Sequence, residues 1–353
     1  MDAASSADTT PRPTLAAVAA RAGVSASTAS LAFSGSGPVS AATRQRVLAA
    51  AAELDYPGPD PTAQSLRRGR SGTVALITED RLADAFRDPV NLAVLDGIGE
   101  AFGDERLGLL VLPLVGSDRP ELTSTAMDAA ILLGCNTELG GSVDILRRRR
   151  VPMVGIEARP FEGVIPIELD NRAASRRAAE LVRGLRHRRI AVVTLPMTPG
   201  RARGPLSTDD ERTSGVFVAT ERLAGVREVF PDAPAVAASS SSVAEGVIAG
   251  RSLLDSPQRP TAILAQSDLL AVGILRAADE LGIRVPEELS VVGFDGVRLD
   301  LPTGQVLTTL IQPAAEKGGA AGLAVLAALA GQPPRPASFR CELRVGTTTA
   351  AAS

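Results

Sequence analysis

The chain of 353 residues carries 37 basic and 40 acidic side chains, giving a formal net charge of −3. Hydrophobic residues make up 45% of the chain and charged residues 22%, which is typical of globular proteins and excludes a disordered or fibrous chain. This length predicts two or three domains. The two cysteines, Cys135 and Cys341, are too few for a disulfide framework and favour a reducing compartment.

Signals of export, membrane insertion and catalysis are weak. Residues 1–13 lack the apolar segment of a signal peptide, and the longest apolar run, at 321–331, is too short to cross a bilayer, so we expect a cytoplasmic protein. His187 is the only histidine, and we predict that it lies at a surface turn between a helix and a strand. No phosphate-binding G-x-G-x-x-G or G-K-[ST] motif occurs. We therefore predict no catalytic residue, no metal site and no cofactor.

Positive charge is concentrated near the N-terminus. Residues 11–71 contain seven arginines and three acidic residues, a balance of 7 − 3 = +4 in a chain that is acidic overall. This asymmetry indicates a basic module attached to a neutral body. The polar residues 1–13 before it are predicted to form a disordered tail.

Three short helices are predicted within this basic module. Gly23 should end the first helix, Ser25 should cap the second and Ser40 should cap the third. Helical spacing predicts that their apolar stripes hold Leu15, Val18, Ala19 and Ala22, then Ala29, Ala32 and Phe33, then Val47, Leu48, Ala51 and Leu54. Three such helices are typical of a helix-turn-helix DNA-binding domain, and a small bundle with a Ser-rich face is the alternative.

The second helix would then enter the major groove. Its outward positions are Ala26, Ser27, Ser30 and Leu31, with Thr28 near the edge. Hydroxyl groups can bind phosphates or base edges, and methyl groups can contact thymine.

Residues 14–56 resemble the DNA-binding domain of the LacI/GalR family of bacterial transcription regulators. The similarity runs without gaps through "VA..AGVS..T.S" and "VS..TR..V..A...L.Y". It implies a helix-turn-helix domain at 14–58 in which Ser25 also contacts phosphate and Ala26, Ser27 and Ser30 face the bases. We expect Arg44 to contribute to phosphate binding. Leu31 and Ser34 stand where the family commonly has Arg and Asn, so the operator sequence stays open.

Residues 59–72 connect the module to the rest of the chain. Their prolines and glycines alone indicate a linker, and a flexible tether remains the alternative. The resemblance implies a hinge helix that enters the minor groove. In that interpretation Leu66 is the residue wedged between base pairs, Ala63 is its companion and Arg67 contacts phosphate.

From residue 73 to 353 the pattern changes to apolar strands that alternate with helices. Strands are predicted at 73–78, 107–114, 129–134, 151–156, 189–195, 261–266 and 289–294, and helices at 90–103, 172–186, 243–255 and 268–281. Buried strands with intervening helices predict doubly wound parallel sheets, here in two similar lobes. A ligand would bind between the lobes, at the carboxyl ends of the strands.

The same family resemblance extends over this region, through "LDNRAASRRAAELVRGLRHRRIAVV", "AILAQSDLLAVGILRAADELGIRVPEELSVVGFDGV" and "LTTLIQP". It implies the fold of type I periplasmic sugar-binding proteins, used as an effector sensor and dimerisation core. The effector ligands that it implies are Arg212, Asp295 and Ser267. Asp170 is a weaker candidate, and the aromatic residues on which a sugar ring could stack are Phe86, Phe161 and Phe294. The alternative for Arg212 and Asp295 is that they only pair with each other across the cleft.

These observations predict a homodimeric, ligand-responsive transcriptional regulator, expected to be a repressor. Its partners would be a near-palindromic operator in double-stranded DNA and a small effector such as a sugar, with no membrane partner. Two alternatives are a plain carbohydrate-binding protein of the periplasmic type and a nucleotide-using enzyme. The first conflicts with the missing signal peptide and the helix-turn-helix pattern, and the second with the missing glycine motif.

Overall fold

The structure is a computed structural model and describes residues 13–34, 37–59, 69–78, 82–113, 119–134, 139–198, 200–298 and 304–352. It divides into two compact units, Met1–Ser71 and Gly72–Ser353. The predicted hinge residues Ala63, Leu66 and Arg67 lie outside the described residues, as do Cys135 and nearly all of the predicted tail.

The first unit consists of the three predicted helices, α1 (Leu15–Ala22), α2 (Ala26–Ser34) and α3 (Ala41–Glu53). Ser25 caps α2 by accepting a hydrogen bond from the amide of Thr28 at 3.1 Å, and Ser40 caps α3 in the same way through Thr43 at 3.2 Å. Gly23 follows α1 in the left-handed conformation that a glycine adopts readily. The caps and the turn are therefore confirmed.

The core of the first unit is small and built largely of alanine. Fully or nearly fully buried side chains from all three helices form it, namely Val18, Ala19, Ala22, Ala29, Ala32, Val47, Ala50 and Ala51. The prediction that Leu48 belongs to this core is wrong, because Leu48 is 47% exposed. Ala50 is buried instead, since the buried face of α3 is rotated toward Val47, Ala50 and Ala51.

The second unit contains two mainly parallel sheets, as predicted, one in each lobe. In the described part of the first lobe, six strands are arranged in the order β12-β5-β4-β3-β1-β2 and all pair in parallel. These strands are β1 (Thr73–Thr78), β2 (Gly108–Pro113), β3 (Ala129–Leu133), β4 (Met153–Ile156), β5 (Val164–Leu169) and β12 (Ala337–Phe339). The helices of this lobe are α4 (Leu82–Ala85), α5 (Pro89–Phe102), α6 (Pro120–Ser124), α7 (Leu139–Arg148) and α13 (Ala314–Leu329).

The described part of the second lobe has seven strands in the order β13-β11-β10-β9-β6-β8-β7, antiparallel only at its two edges. The strands are β6 (Ile190–Thr194), β7 (Gly204–Pro205), β8 (Ala235–Ala237), β9 (Ala262–Ala265), β10 (Ser290–Asp295), β11 (Thr308–Ile311) and β13 (Glu342–Arg344). Its helices are α8 (Asn171–Gly184), α9 (Thr208–Thr213), α10 (Phe217–Arg227), α11 (Val243–Leu254) and α12 (Asp268–Glu280).

The chain passes between the lobes at three crossovers. The first leads from β5 to α8 at Asp170–Asn171, the second from β11 to α13 at Gln312–Pro313, and the third from β12 to β13 at Arg340–Cys341. Polar contacts join the first and third crossovers, because the Asp170 carboxylate accepts a hydrogen bond from the Cys341 amide at 2.8 Å. Arg177 pairs with Asp170 and also donates to the Cys341 carbonyl.

Among the described residues, no single helix is long and apolar enough to span a bilayer. Helices α1 and α2 reach that length and apolar composition only together, and the two are bent by 101° at the turn between them.

His187 follows α8 in a turn, as predicted, but the prediction that it lies at the surface is wrong. Its side chain is only 4% exposed. Nε2–H donates to the carbonyl oxygen of Ala350 at 3.0 Å, and Nδ1 lies 3.0 Å from the hydroxyl of Thr261. The polar partners that allow its burial come from distant parts of the chain, so the local pattern could not predict it.

We expect the imidazole of His187 to titrate below its ordinary pKa of 6.5, because burial disfavours the charged form more than the Ala350 carbonyl favours it. A lowered pKa means that the stability contributed by His187 is present above pH 6.5 and is lost as the pH falls through the pKa of the folded protein. NMR can follow this single imidazole directly. A midpoint at or above the value in the urea-unfolded chain would contradict the prediction.

Candidate functional sites

The first unit presents a short helix with small polar side chains on its outer face. Ala26, Ser27 and Leu31 on α2 are exposed, while Thr28 and Ser30 are half-buried. The Ser25 hydroxyl lies 2.8 Å from the hydroxyls of both Ser27 and Thr28. A helix with small side chains can approach the floor of a DNA groove closely, and these hydroxyls can exchange their mutual hydrogen bonds for phosphate or base contacts.

Two arginines near this helix differ in their pairing. Arg21 on α1 forms an ion pair with Glu53 on α3, with 2.5 Å between Nη2 and Oε2. Arg44 on α3 is half-buried, and its side chain forms no ion pair among the described residues. Because no described carboxylate competes for its guanidinium, Arg44 is the better placed of the two to donate to a phosphate.

The second unit holds a ring of six polar side chains between the lobes. Lys317 on α13 donates to Glu157, which directly follows β4, and to the side-chain oxygen of Gln312 at the second crossover. Gln312 donates to Asp295, at the end of β10, at 2.6 Å. The ring closes through Arg222 and Asn171. We call these six residues the interlobe ring.

Arg222 on α10 contacts three other members of this ring. Its guanidinium donates to Asn171 at 2.8 Å, and Asn171 donates in turn to Glu157 at 2.7 Å. The Arg222 guanidinium also lies 3.6 Å from the Asp295 carboxylate and 3.9 Å from that of Glu157. The guanidinium carbon is 3.5 Å from the centre of the Phe294 ring, so the cation covers the aromatic face.

Burial and charge act in opposite directions on the two carboxylates of the ring. Burial raises the pKa of Glu157, but Lys317, Arg222 and the hydrogen bond from Asn171 outweigh it, so the pKa lies below its ordinary value. Burial raises the pKa of Asp295 well above its usual range, with Arg222 opposing and Asp268 and Asp88 adding to the rise. Glu157 is thus held as the carboxylate that accepts hydrogen bonds from both lobes.

The structure brings together some of the predicted effector residues but not all of them. Asp295 and Phe294 both contact Arg222. Ser267, almost fully buried, caps α12 and accepts a hydrogen bond from Ser241 at 3.0 Å. Asp170 lies at the first crossover against Cys341. Each of these four keeps its effector role as a prediction.

Arg212 lies elsewhere. Its side chain is 75% exposed and pairs with Asp209, one turn earlier on α9, at 3.0 Å. The alternative that Arg212 and Asp295 pair with each other is wrong, because Asp295 is already satisfied by Arg222 and Gln312. Whether Arg212 contacts an effector stays a prediction.

Five ring residues were missed by the sequence analysis: Glu157, Asn171, Arg222, Gln312 and Lys317. Two of them could have been noticed in the sequence, because each is a charged residue at an inner position of a helix. Lys317 is the only lysine among 37 basic residues, and it lies at an inner position of a helix whose other buried positions are Ala and Gly or apolar. Arg222 likewise interrupts the buried stripe of α10. A charged residue on the buried face of a helix indicates a specific partner.

The two units together define a class of protein: a helix-turn-helix DNA-binding domain joined to a two-lobed α/β domain with a polar site between the lobes. The family model for bacterial regulatory proteins of the lacI family matches residues 14–58, and the periplasmic binding protein-like domain matches residues 179–349. An HTH-type transcriptional regulator of Mycobacterium tuberculosis is 34% identical over 341 residues, covering 92% of each chain.

Two further similar proteins are also transcriptional regulators. The HTH-type transcriptional repressor CytR of Escherichia coli is 29% identical over 350 residues and 96% of each chain. A solved structure of the transcriptional regulator CelR in complex with cellobiose has a TM-score of 0.66 and 26% identity, covering 96% of this chain and all of that one. The chain belongs to the lacI family of bacterial regulatory proteins and is a DNA-binding transcriptional regulator.

Proposed function

We propose that the protein is a dimeric repressor that acts in the cytoplasm, binds a near-palindromic operator and changes its operator affinity when a small polar molecule, such as a sugar, binds between the lobes. The observation that carries this proposal is the presence, in one chain, of a helix-turn-helix unit and a domain with a polar interlobe site. The repressor CytR and the cellobiose complex of CelR support both halves. Two copies of α2 would read two half-sites of the operator.

We infer that the protein acts by binding and not by catalysis. Its only histidine is buried in hydrogen bonds to Thr261 and Ala350. Buried ion pairs occupy the carboxylates between the lobes. These pairings support a ligand-sensing site, in which binding shifts the balance between two lobe arrangements.

The DNA-binding half of the proposal is tested with an operator selected from a random-sequence duplex library. Affinity should fall with salt by about 0.9 log units per log unit of salt for each phosphate that is neutralised. A dimer that neutralises even one phosphate per subunit should lose about tenfold between 50 and 200 mM salt. A chain starting at residue 73 should bind no duplex, and a flat salt response of the full chain would contradict the proposal.

Arg44 and Arg21 provide a matched pair of variants. Arg44→Gln should make the salt dependence shallower by about 1.8, because a dimer loses two phosphate contacts. Arg21→Gln removes the same charge from a side chain that Glu53 already pairs, so its slope should stay close to that of the wild type. Equal changes in both variants would show that only net charge matters.

A further inference from the structure

Arg222 is a buried cation on a helix face that is otherwise apolar. Val218, Ala219, Leu223 and Val226 occupy the other buried side-chain positions of α10, and the Arg222 side chain is 4% exposed. Burial of a guanidinium is strongly unfavourable unless its donors are paired. A methionine could fill a similar volume without this cost, and replacing buried ion pairs by apolar residues is often neutral or stabilising. Filling the core does not explain an arginine here.

The contacts of Arg222 span both lobes. Within the second lobe the guanidinium donates to the Gln266 carbonyl at 2.6 Å, covers the Phe294 ring and lies 3.6 Å from Asp295. From there it reaches Glu157 in the first lobe at 3.9 Å. The planar guanidinium has five donors and can hold several acceptors in fixed directions, whereas an ammonium acts as a point charge.

We propose that Arg222 is the positioning residue of the interlobe site, holding the carboxylates of Glu157 and Asp295 in one arrangement and thereby fixing the angle between the lobes. The inference rests on the proposed effector site between the lobes. A ligand oxygen that competes for Arg222 would release one carboxylate and with it one lobe. Arg222 is far along the chain from the crossovers, but by fixing the lobe angle it would restrict the conformation of all three crossovers.

The placement of the charged and acidic groups in the ring supports this role. Arg222 and Lys317 are its two cations, and Glu157 and Asp295 supply its two carboxyl groups. Each lobe contributes one of each. Lys317 pairs with the carboxylate of its own lobe, while Arg222 reaches the carboxylates of both lobes. Removing Arg222 therefore removes the cation that interacts with acidic side chains of both lobes.

The test is hydrogen–deuterium exchange of the full chain, comparing wild type with Arg222→Met. Amides of the three crossovers, at 169–172, at 311, 312 and 314, and at 339–342, should exchange about tenfold faster or more in the variant, because each lost hydrogen bond to a charged group gives about that factor. Strand β9 in the second lobe should keep its protection. Arg251→Met, which breaks an exposed pair with Glu280 in the same lobe, should leave the crossovers unchanged.

Exchange that speeds up only in α10 and its neighbours within the second lobe would overturn the proposal, since it would reduce Arg222 to a core residue. Arg222→Lys should restore little of the protection, and full restoration would overturn the proposal, because charge alone would then hold the lobes. Should Arg222→Met fail to fold, Glu157→Gln decides the matter, because it removes the first-lobe partner and leaves Arg222 in place. Faster exchange at the crossovers supports the proposal, and wild-type exchange overturns it.

Binding of the selected operator is measured on the same samples. A wild-type chain that binds no duplex would contradict the proposed function, whereas the exchange pattern would still decide the role of Arg222 in the lobe angle. The two failures are therefore distinguishable.

Discussion

Replacing Lys317 with methionine should lower the free energy of unfolding of the second unit by about 3–5 kcal/mol, the cost of removing one partner from a buried ion pair. The Lys317 side chain is 1% exposed, and that of its partner Glu157 is 11% exposed. Methionine fills most of the volume of lysine, so the loss comes mainly from a carboxylate that must stay charged without its nearest cation or take up a proton.

Denaturant unfolding of the wild type, Lys317→Met, Glu157→Gln and the double variant measures this coupling. The double variant should be more stable than Lys317→Met, because no unpaired carboxylate remains at position 157. Arg251→Met breaks an exposed pair with Glu280 and should cost less than about 1 kcal/mol. Additive effects of the two single substitutions would show that Lys317 and Glu157 do not stabilise each other.

Much of the fold could be predicted from the sequence, because it depends on local patterns. The predicted strand at 73–78 is β1 itself, and the predicted helix at 268–281 is α12 to within one residue. Apolar runs bounded by caps carry this information over short distances. Short strands such as β8 and β12, with three residues each, were missed because so few residues form no recognisable pattern.

The interlobe ring could not be predicted in the same way. Its six members are spread between residues 157 and 317, and only Gln312 and Lys317 are near neighbours in sequence, so the fold brings the ring together. The family resemblance singled out Asp295 and Arg212, but the arginine beside Asp295 is Arg222 and not Arg212. His187 shows the same limit, since its burial depends on Thr261 and Ala350, both far away in sequence.

The position of Lys317 depends in turn on how closely two helices of the first lobe cross. At this crossing a Cβ atom on Gly97 of α5 would lie 1.9 Å from the carbonyl oxygen of Ala315, and one on Gly318 of α13 would lie 2.1 Å from that of Val94. Both obstacles are backbone atoms, which cannot rotate away. Only glycine permits this approach, and Gly318 is the residue next to Lys317.

Gly97→Ala should therefore destabilise the second unit by about 3 kcal/mol, the upper end of the usual cost of overpacking. Gly99→Ala, two residues along the same helix, is the matched control, because a Cβ there meets nothing within 4 Å. It should stabilise by about 0.5–1 kcal/mol through the better helix propensity of alanine. Denaturant unfolding of both variants checks the pair, and equal effects would show that the helices can move apart freely.

Because α13 begins at the second crossover, Gly97→Ala should also displace Lys317 from Glu157. The added cost of Lys317→Met should then be smaller in the Gly97→Ala background than in the wild type.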